Sequence, residues 1–315
     1  MGRVIAVCTS ERKGERKQNR GEALVLTGVG IEGDAHAGFG HRQISLLAVE
    51  SIEYMRSKGL NVGPGDFAEN VTTEGLSLID LPLGTRIRVG ADVYLRITQI
   101  GKECHSRCNI FYQAGDCVMP REGIFTEVLR GGKIATGMEI TPLPAYRFAV
   151  LTVSDAGSRG EREDTSGKLL HTLLLPLGDV VWQGIVPDEE EIIANTLTKL
   201  CDLEKVDLIL TTGGTGFSPR DVTPEATHKV IQREVPGLPE ALRMESYKKN
   251  PRSILSRGIA GIRGKTLIVN LPGSTRAVEE HMTVLFPLLE HALGILTGKE
   301  RECGGTHTKA QRPNR

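Results

Sequence analysis

The hydrophobic positions change rhythm near the middle of the chain. Up to about residue 143 they fall in short apolar or alternating runs broken by glycine, such as Ile44-Ser45-Leu46-Leu47, Arg86-Ile87-Arg88-Val89 and Val93-Tyr94-Leu95-Arg96-Ile97. Short strands with frequent turn signals predict a mostly β half, a barrel or a sandwich, with short helices at 49–58 and 124–129. From Arg147 onward apolar strands at 148–153, 180–185, 206–210 and 267–270 alternate with helical patterns at 165–175, 188–203, 223–233 and 275–296. Repeated βα units imply an α/β domain with a mostly parallel sheet and helices on its faces. Ligands of such sheets bind outside the carboxyl ends of the strands. The segment Thr141-Pro142-Leu143-Pro144 is too stiff for a helix or a central strand and marks the junction. The expected layout is a β domain at 1–143, a linker at 144–147, an α/β domain at 148–297 and a polar tail at 298–315.

Composition changes this picture only a little. A chain of 315 residues is long enough for two domains with full cores. Apolar residues make up 39% and charged residues 25%, as in a soluble globular protein. Lys plus Arg equals Asp plus Glu at 39 each, which gives no push toward nucleic acid or an anionic membrane surface. No run is apolar enough for a signal peptide or a bilayer span, so a cytoplasmic location without membrane contact is expected. Cys104, Cys108 and Cys117 lie close together, whereas Cys8, Cys201 and Cys303 are isolated. Without an export signal, free thiols, a metal site or redox chemistry suit them better than a disulfide framework.

Four loops at predicted strand ends carry candidate chemistry: Ser154-Asp155, Pro187-Asp188-Glu189, residues 213–221 and Asn270-Leu271-Pro272-Gly273-Ser274. The third belongs to the run Thr-Thr-Gly-Gly-Thr-Gly-Phe-Ser-Pro-Arg-Asp at 211–221. A glycine-rich turn between a strand and a helix leaves backbone N–H groups free to face a phosphate. It is not a Walker A loop, because no Gly-Lys-Ser/Thr follows at the right spacing. Each element also has a plain structural reading. Asp188 and Glu191 have capping-box spacing, and Thr223-Pro224 fits an N-cap followed by proline. Asp221 and Arg220 could pair on the surface, and Gly273 could serve a tight turn.

Together these motifs, with Ile254-Leu255-Ser256-Arg257 between them, resemble molybdopterin adenylyltransferase of the MogA/MoaB type over residues 148–296. The resemblance implies a usually trimeric α/β protein that moves AMP from ATP onto the phosphate of molybdopterin and releases pyrophosphate. By the same resemblance Asp188 and Asp221 are the central acids, catalytic and holding Mg²⁺. Gly213, Gly214, Thr215 and Gly216 would cradle phosphate, Asn270, Pro272, Gly273 and Ser274 would line the pterin side, and Ser154 with Asp155 would close the pocket. A non-catalytic carrier of the pterin or its nucleotide is the alternative, since a fold does not guarantee turnover.

The first half carries Gly33-Asp34-Ala35-His36, His41-Arg42-Gln43-Ile44-Ser45-Leu46-Leu47, Glu69-Asn70 and Lys102-Glu103-Cys104-His105-Ser106-Arg107-Cys108. Lys102, His105 and Arg107 would favour a Cys104 thiolate. Zinc on Cys104, His105, Cys108 and Cys117 is the weaker reading, because the C-x2-C pair is missing. Asp34, His36 and His41 read as hydrogen-bonded turn residues before they read as a metal site. These segments resemble the MOSC domain, a β-barrel that carries sulfur or holds the molybdenum or tungsten cofactor through one cysteine. Cys104 matches by position, with Cys108 and Cys117 as the alternative functional cysteines, and partners would be other molybdenum cofactor biosynthesis proteins.

Overall fold

A computed structural model describes residues 2–102 and 109–299. The chain divides between Ala145 and Tyr146 into two compact units. Among the described residues no helix is long and apolar enough to cross a membrane.

In the first unit seven strands close into a barrel. Their order is Glu139–Pro142, Arg86–Val89, Val93–Ile100, Ile124–Arg130, Ile44–Ala48, Val71–Glu74 and Gly2–Thr9, and the last pairs back onto the first through Gly2↔Ile140 and Arg3↔Glu139. A side chain on Gly2 would sit 2.7 Å from the Glu74 carbonyl, so the closing seam requires glycine there. Inward-facing Val4, Leu46, Ile87, Leu95, Ile97, Ile124 and Ile140 fill the interior and are almost fully buried. Each such side chain contributes about 1.5–3 kcal/mol relative to exposure. The helix Val49–Ser57 forms where the sequence predicts one, whereas Ile124–Arg130 is a strand. Its apolar residues bridge two neighbouring strands, and that pairing overrides the helical spacing.

The proposed junction also begins later than its prolines suggest. Thr141 and Pro142 belong to a strand, paired with Arg88 and Ile87. The pairing with Gly2–Thr9 stops at Ile140, so Pro142 stands at an edge where a missing N–H is tolerated.

In the second unit the sheet order is Gly178–Val186, Tyr146–Val153, Leu208–Thr212, Thr266–Leu271, Ala260–Arg263 and Arg233–Glu234. The first four strands pair in parallel, and the last two add antiparallel. Every residue of the central Leu208–Thr212 and Thr266–Leu271 strands is buried. Continuous apolar strands of this kind mark a sheet covered on both faces. The helices Thr165–Leu174, Glu190–Asp202, Thr223–Val230 and Thr275–Thr297 follow the predicted pattern. The helix Gly237–Tyr247 and the two antiparallel strands are additions to it.

Inside the barrel unit, Lys17 Nζ donates to Asp34 Oδ2 at 2.5 Å, with both side chains essentially inaccessible. Burial alone would raise the Asp34 carboxyl. Hydrogen bonds from His36, Lys17 and the Ser10 amide outweigh it and hold the group well below the usual carboxylate range. Removing one partner of such a pair leaves an uncompensated charge. Lys17→Met should therefore destabilise the unit by about 3–5 kcal/mol, and Lys17→Met with Asp34→Leu should recover most of that. Urea unfolding of both variants checks this.

Candidate active site

The turn after Leu208–Thr212 is built so that its amides, not its carbonyls, face outward. Gly213 has φ +102° and Gly214 φ +63°, the left-handed region that favours glycine. A Cβ on Gly213 would lie 2.2 Å from the Val153 carbonyl, and one on Gly214 would lie 2.3 Å from Thr223 Oγ1. The Thr223 hydroxyl donates to the Gly213 carbonyl at 2.9 Å, and its amide donates to the Gly214 carbonyl at 3.1 Å. Arg257 takes the next carbonyls: its amide donates to Thr215 at 2.9 Å, Nε to Gly216 at 2.7 Å, and Nη2 to Asp221. The amides of Gly214, Thr215 and Gly216 make no hydrogen bond within the described residues. Thr223 is thus the first residue of its helix and no N-cap, since Val222 holds that position.

The two acids meet this turn from different loops. Asp221 accepts from the Ser218 amide at 2.9 Å through Oδ2, and glycine at 216 leaves room for it. Asp188 accepts from the Asp155 amide at 2.8 Å through Oδ2. Its Oδ1 would lie 3.1 Å from a Cβ on Gly214. Burial raises the Asp188 carboxyl above its usual value, the Asp155 amide opposes this, and the charges of Asp155 and Asp221 add to it. The capping box of Asp188 with Glu191 does not form. The helix starts at Glu190 after Glu189, without a side-chain cap, and the Asp188 carboxylate is used by Asp155 instead. Nor does Arg220 pair with Asp221. It grips Asp155 with two bonds of 3.0 and 2.8 Å.

These loops surround a cavity of about 560 Å³ lined by Ser154, Gly213, Gly214, Thr215, Gly216, Asp188, Asp221, Pro272, Gly273 and Ser274, among others. That is a volume typical of small-molecule sites. Ser154 also caps the turn Asp155–Ser158, and Ser274 caps the helix Thr275–Thr297. Gly273 lets its loop approach Gly213, where an added Cβ would sit 3.2 Å from the Gly213 Cα. Asp155 and Asn270 do not line the cavity. The carboxylate of Asp155 is taken by Arg220 and the Asp188 amide. Asn270 is buried behind the floor, donating to Thr211 Oγ1 at 3.0 Å and Thr227 Oγ1 at 2.9 Å and accepting from the Ile259 amide at 3.2 Å.

The wall formed by Arg162, Glu163, Asp164, Thr165 and Ser166 is not anticipated by the sequence motifs. Asp164 caps the helix Thr165–Leu174 through the Gly167 amide and accepts from Thr152 Oγ1 at 2.8 Å. Its signal is an ordinary N-cap, Asp-Thr-Ser before a helical run. Arg162 is the one cation lining the cavity among the described residues.

In the first unit, Cys104, His105 and Cys108 lie outside the described residues. Cys117 is buried. Burial, reinforced by Glu69, pushes the Cys8 thiol up to about 12, so it is no nucleophile at neutral pH. His36 Nδ1 lies 3.3 Å from Lys17 Nζ, and His41 Nε2 lies 3.2 Å from Gln99 Oε1. Among the described residues no group of three or more His, Cys, Asp or Glu could hold a metal ion.

An anion-facing turn, paired acids and a crevice at the carboxyl edge of parallel strands define an α/β ligand-binding protein. A family model described as a probable molybdopterin binding domain matches residues 149–291, and a MOSC domain model matches residues 32–141. A molybdopterin adenylyltransferase of Helicobacter pylori (strain ATCC 700392 / 26695) is 42% identical over 176 residues, covering 54% of this chain and 99% of that protein. The molybdenum cofactor synthesis protein cinnamon of Drosophila melanogaster is 44% identical over 174 residues, 54% of this chain but 28% of that protein. The crystal structure of a molybdopterin biosynthesis enzyme MoaB from Thermus thermophilus is 47% identical, with a TM-score of 0.48, and covers 50% of this chain and 99% of its own. The chain belongs to the molybdopterin adenylyltransferase family through its second unit and carries a MOSC domain in its first.

Gly213→Ala combines a disfavoured φ with a clash against Val153, so it should both destabilise the unit and close the cradle. An unfolding midpoint equal to that of the parent protein would contradict this account of the turn.

Proposed function

We propose that the second unit, read as three layers around a mostly parallel sheet, transfers AMP from ATP to the terminal phosphate of molybdopterin. The observation that carries this is the placement of two carboxylates, Asp188 and Asp221, beside a turn whose free amides face the same cavity. In the reaction a phosphate oxygen of the pterin forms a bond to the α-phosphorus of ATP, and the bond to pyrophosphate breaks. A phosphate oxygen at neutral pH is already unprotonated enough to attack, so the protein's task is to hold two anions together and stabilise transition-state charge. The amides of Gly214, Thr215 and Gly216 and the Arg162 guanidinium supply positive ends for that purpose. On the pterin side, Ser154, Pro272, Gly273 and Ser274 supply the wall.

Asp188 and Asp221 each engage one carboxylate oxygen with a backbone amide. Their other oxygens have no protein donor among the described residues. Such a pair suits Mg²⁺, which keeps several waters and binds through one or two carboxylates plus substrate phosphates. When bound there, Mg²⁺ would offset the phosphate repulsion.

The MOSC unit would bind or sulfurate the cofactor, of molybdenum or tungsten, through Cys104. Joining the two units raises the local concentration of an unstable intermediate. The setting this implies is a cytoplasmic homo-trimer working beside other molybdenum cofactor biosynthesis proteins. A non-catalytic carrier remains the second reading, favoured only by tight pterin binding without turnover.

Pyrophosphate release from ATP and molybdopterin tests the proposal. Asp221→Asn should lower the rate by roughly 10²-fold or more, the scale of losing an electrostatic transition-state contact. Release unaffected by this change would sink the adenylyltransferase reading. For the first unit, Cys104→Ser should abolish sulfur loading while leaving pyrophosphate release intact, read by mass spectrometry of the protein and by the same assay.

A further inference from the structure

Three loops that follow three different strands are tied together beside the cavity. Arg220, on the turn after Leu208–Thr212, donates from Nε to Asp155 Oδ2 at 3.0 Å and from Nη2 to Oδ1 at 2.8 Å. Asp155, after Tyr146–Val153, returns two bonds to Asp188, after Gly178–Val186. Its Oδ1 accepts from the Asp188 amide at 3.1 Å, and its own amide donates to Asp188 Oδ2 at 2.8 Å. The result fixes the Asp188 backbone and one carboxylate oxygen at once, leaving Oδ1 as the oxygen without a protein donor.

We infer that Arg220 is a positioning residue that acts through Asp155 on Asp188. This rests on the proposed AMP transfer. The Arg220 side chain is 56% exposed and that of Asp155 32%, and exposed ion pairs contribute little to folding stability. A two-pronged guanidinium–carboxylate contact instead fixes orientation, which a lysine point charge does not reproduce. The next residue is Asp221, so one turn sets both acids, Asp221 directly and Asp188 through the relay. Asp155 therefore works from behind the cavity wall, which explains why it stands beside the acids without lining the cavity.

The test uses the full chain with Arg220→Gln, Arg220→Lys, Asp155→Asn and the Arg220→Gln/Asp155→Asn double variant. Pyrophosphate release and Mn²⁺ affinity of the substrate-free protein are both read. Arg220→Gln should lower kcat roughly 10- to 100-fold, as expected for a small misplacement of a reacting-site group, with KM for ATP within about twofold. Mn²⁺ affinity should fall with it, and Arg220→Lys should recover only part of either loss. Because both residues act through one route, the double variant should be no worse than the poorer single variant. Parent-like kcat and Mn²⁺ affinity in Arg220→Gln, or losses that add in the double variant, would overturn the inference. So would a loss that tracks a lowered unfolding midpoint. If the parent protein releases no pyrophosphate, the AMP-transfer reading fails on its own, and the Mn²⁺ measurement still decides the relay.

Discussion

The cavity depends on one arrangement of hydrogen bonds: every carbonyl at the head of the glycine turn is engaged from behind. Thr223 takes those of Gly213 and Gly214, and Arg257 takes those of Thr215, Gly216 and Asp221. A peptide unit has its N–H and C=O on opposite sides, so anchoring the carbonyls turns the amides toward the crevice. Without those anchors the turn would present a mixture of partial charges to an incoming anion. With them it presents donors, beside the start of the helix Thr223–Val230, whose dipole has the same sign. The glycines permit the conformation, but Thr223 and Arg257 select it.

Much of this was legible in the sequence because it obeys local rules. Alternation of strand and helix spacing located the parallel part of the second sheet, and the glycine turn fell at a strand end, where α/β folds place ligands. What escaped was long-range. Asp188 has the spacing of a cap and Thr223 looks like one, yet each is claimed by a residue outside its own helix, Asp155 at 33 positions and Gly213 at 10 positions away. The spacing also favours Arg220 with Asp221, but the guanidinium reaches across to Asp155, 65 positions away. Asn270 lies in a motif at a strand end and reads as a ligand contact. Its place in the buried strand instead turns its amide into a brace between Thr211 and Thr227. Ile124–Arg130 was open to a helical reading until two flanking strands supplied partners.

The two units treat their carboxylates differently. In the barrel, Lys17 and Asp34 are withdrawn from water and satisfied by each other, by His36 and by Ser10. Such groups hold a loop in place and are chemically silent. In the α/β unit, Asp188 and Asp221 are each only half satisfied by backbone amides, and they stand beside unsatisfied N–H groups. Complementary groups left without partners on one cavity wall are what separates a binding surface from a strut.

The barrel seam joins Gly2 and Arg3 to Ile140 and Glu139, so this edge of the first strand stays unpaired until nearly the whole unit has emerged during synthesis, although its other edge can pair once Val71–Glu74 is made. A barrel closed in this way has no independent half: without either end strand, its neighbours become exposed edges open to pairing with another chain. The same seam places the unit's two ends side by side. A circularly permuted barrel, with those two ends joined, would therefore keep its closure.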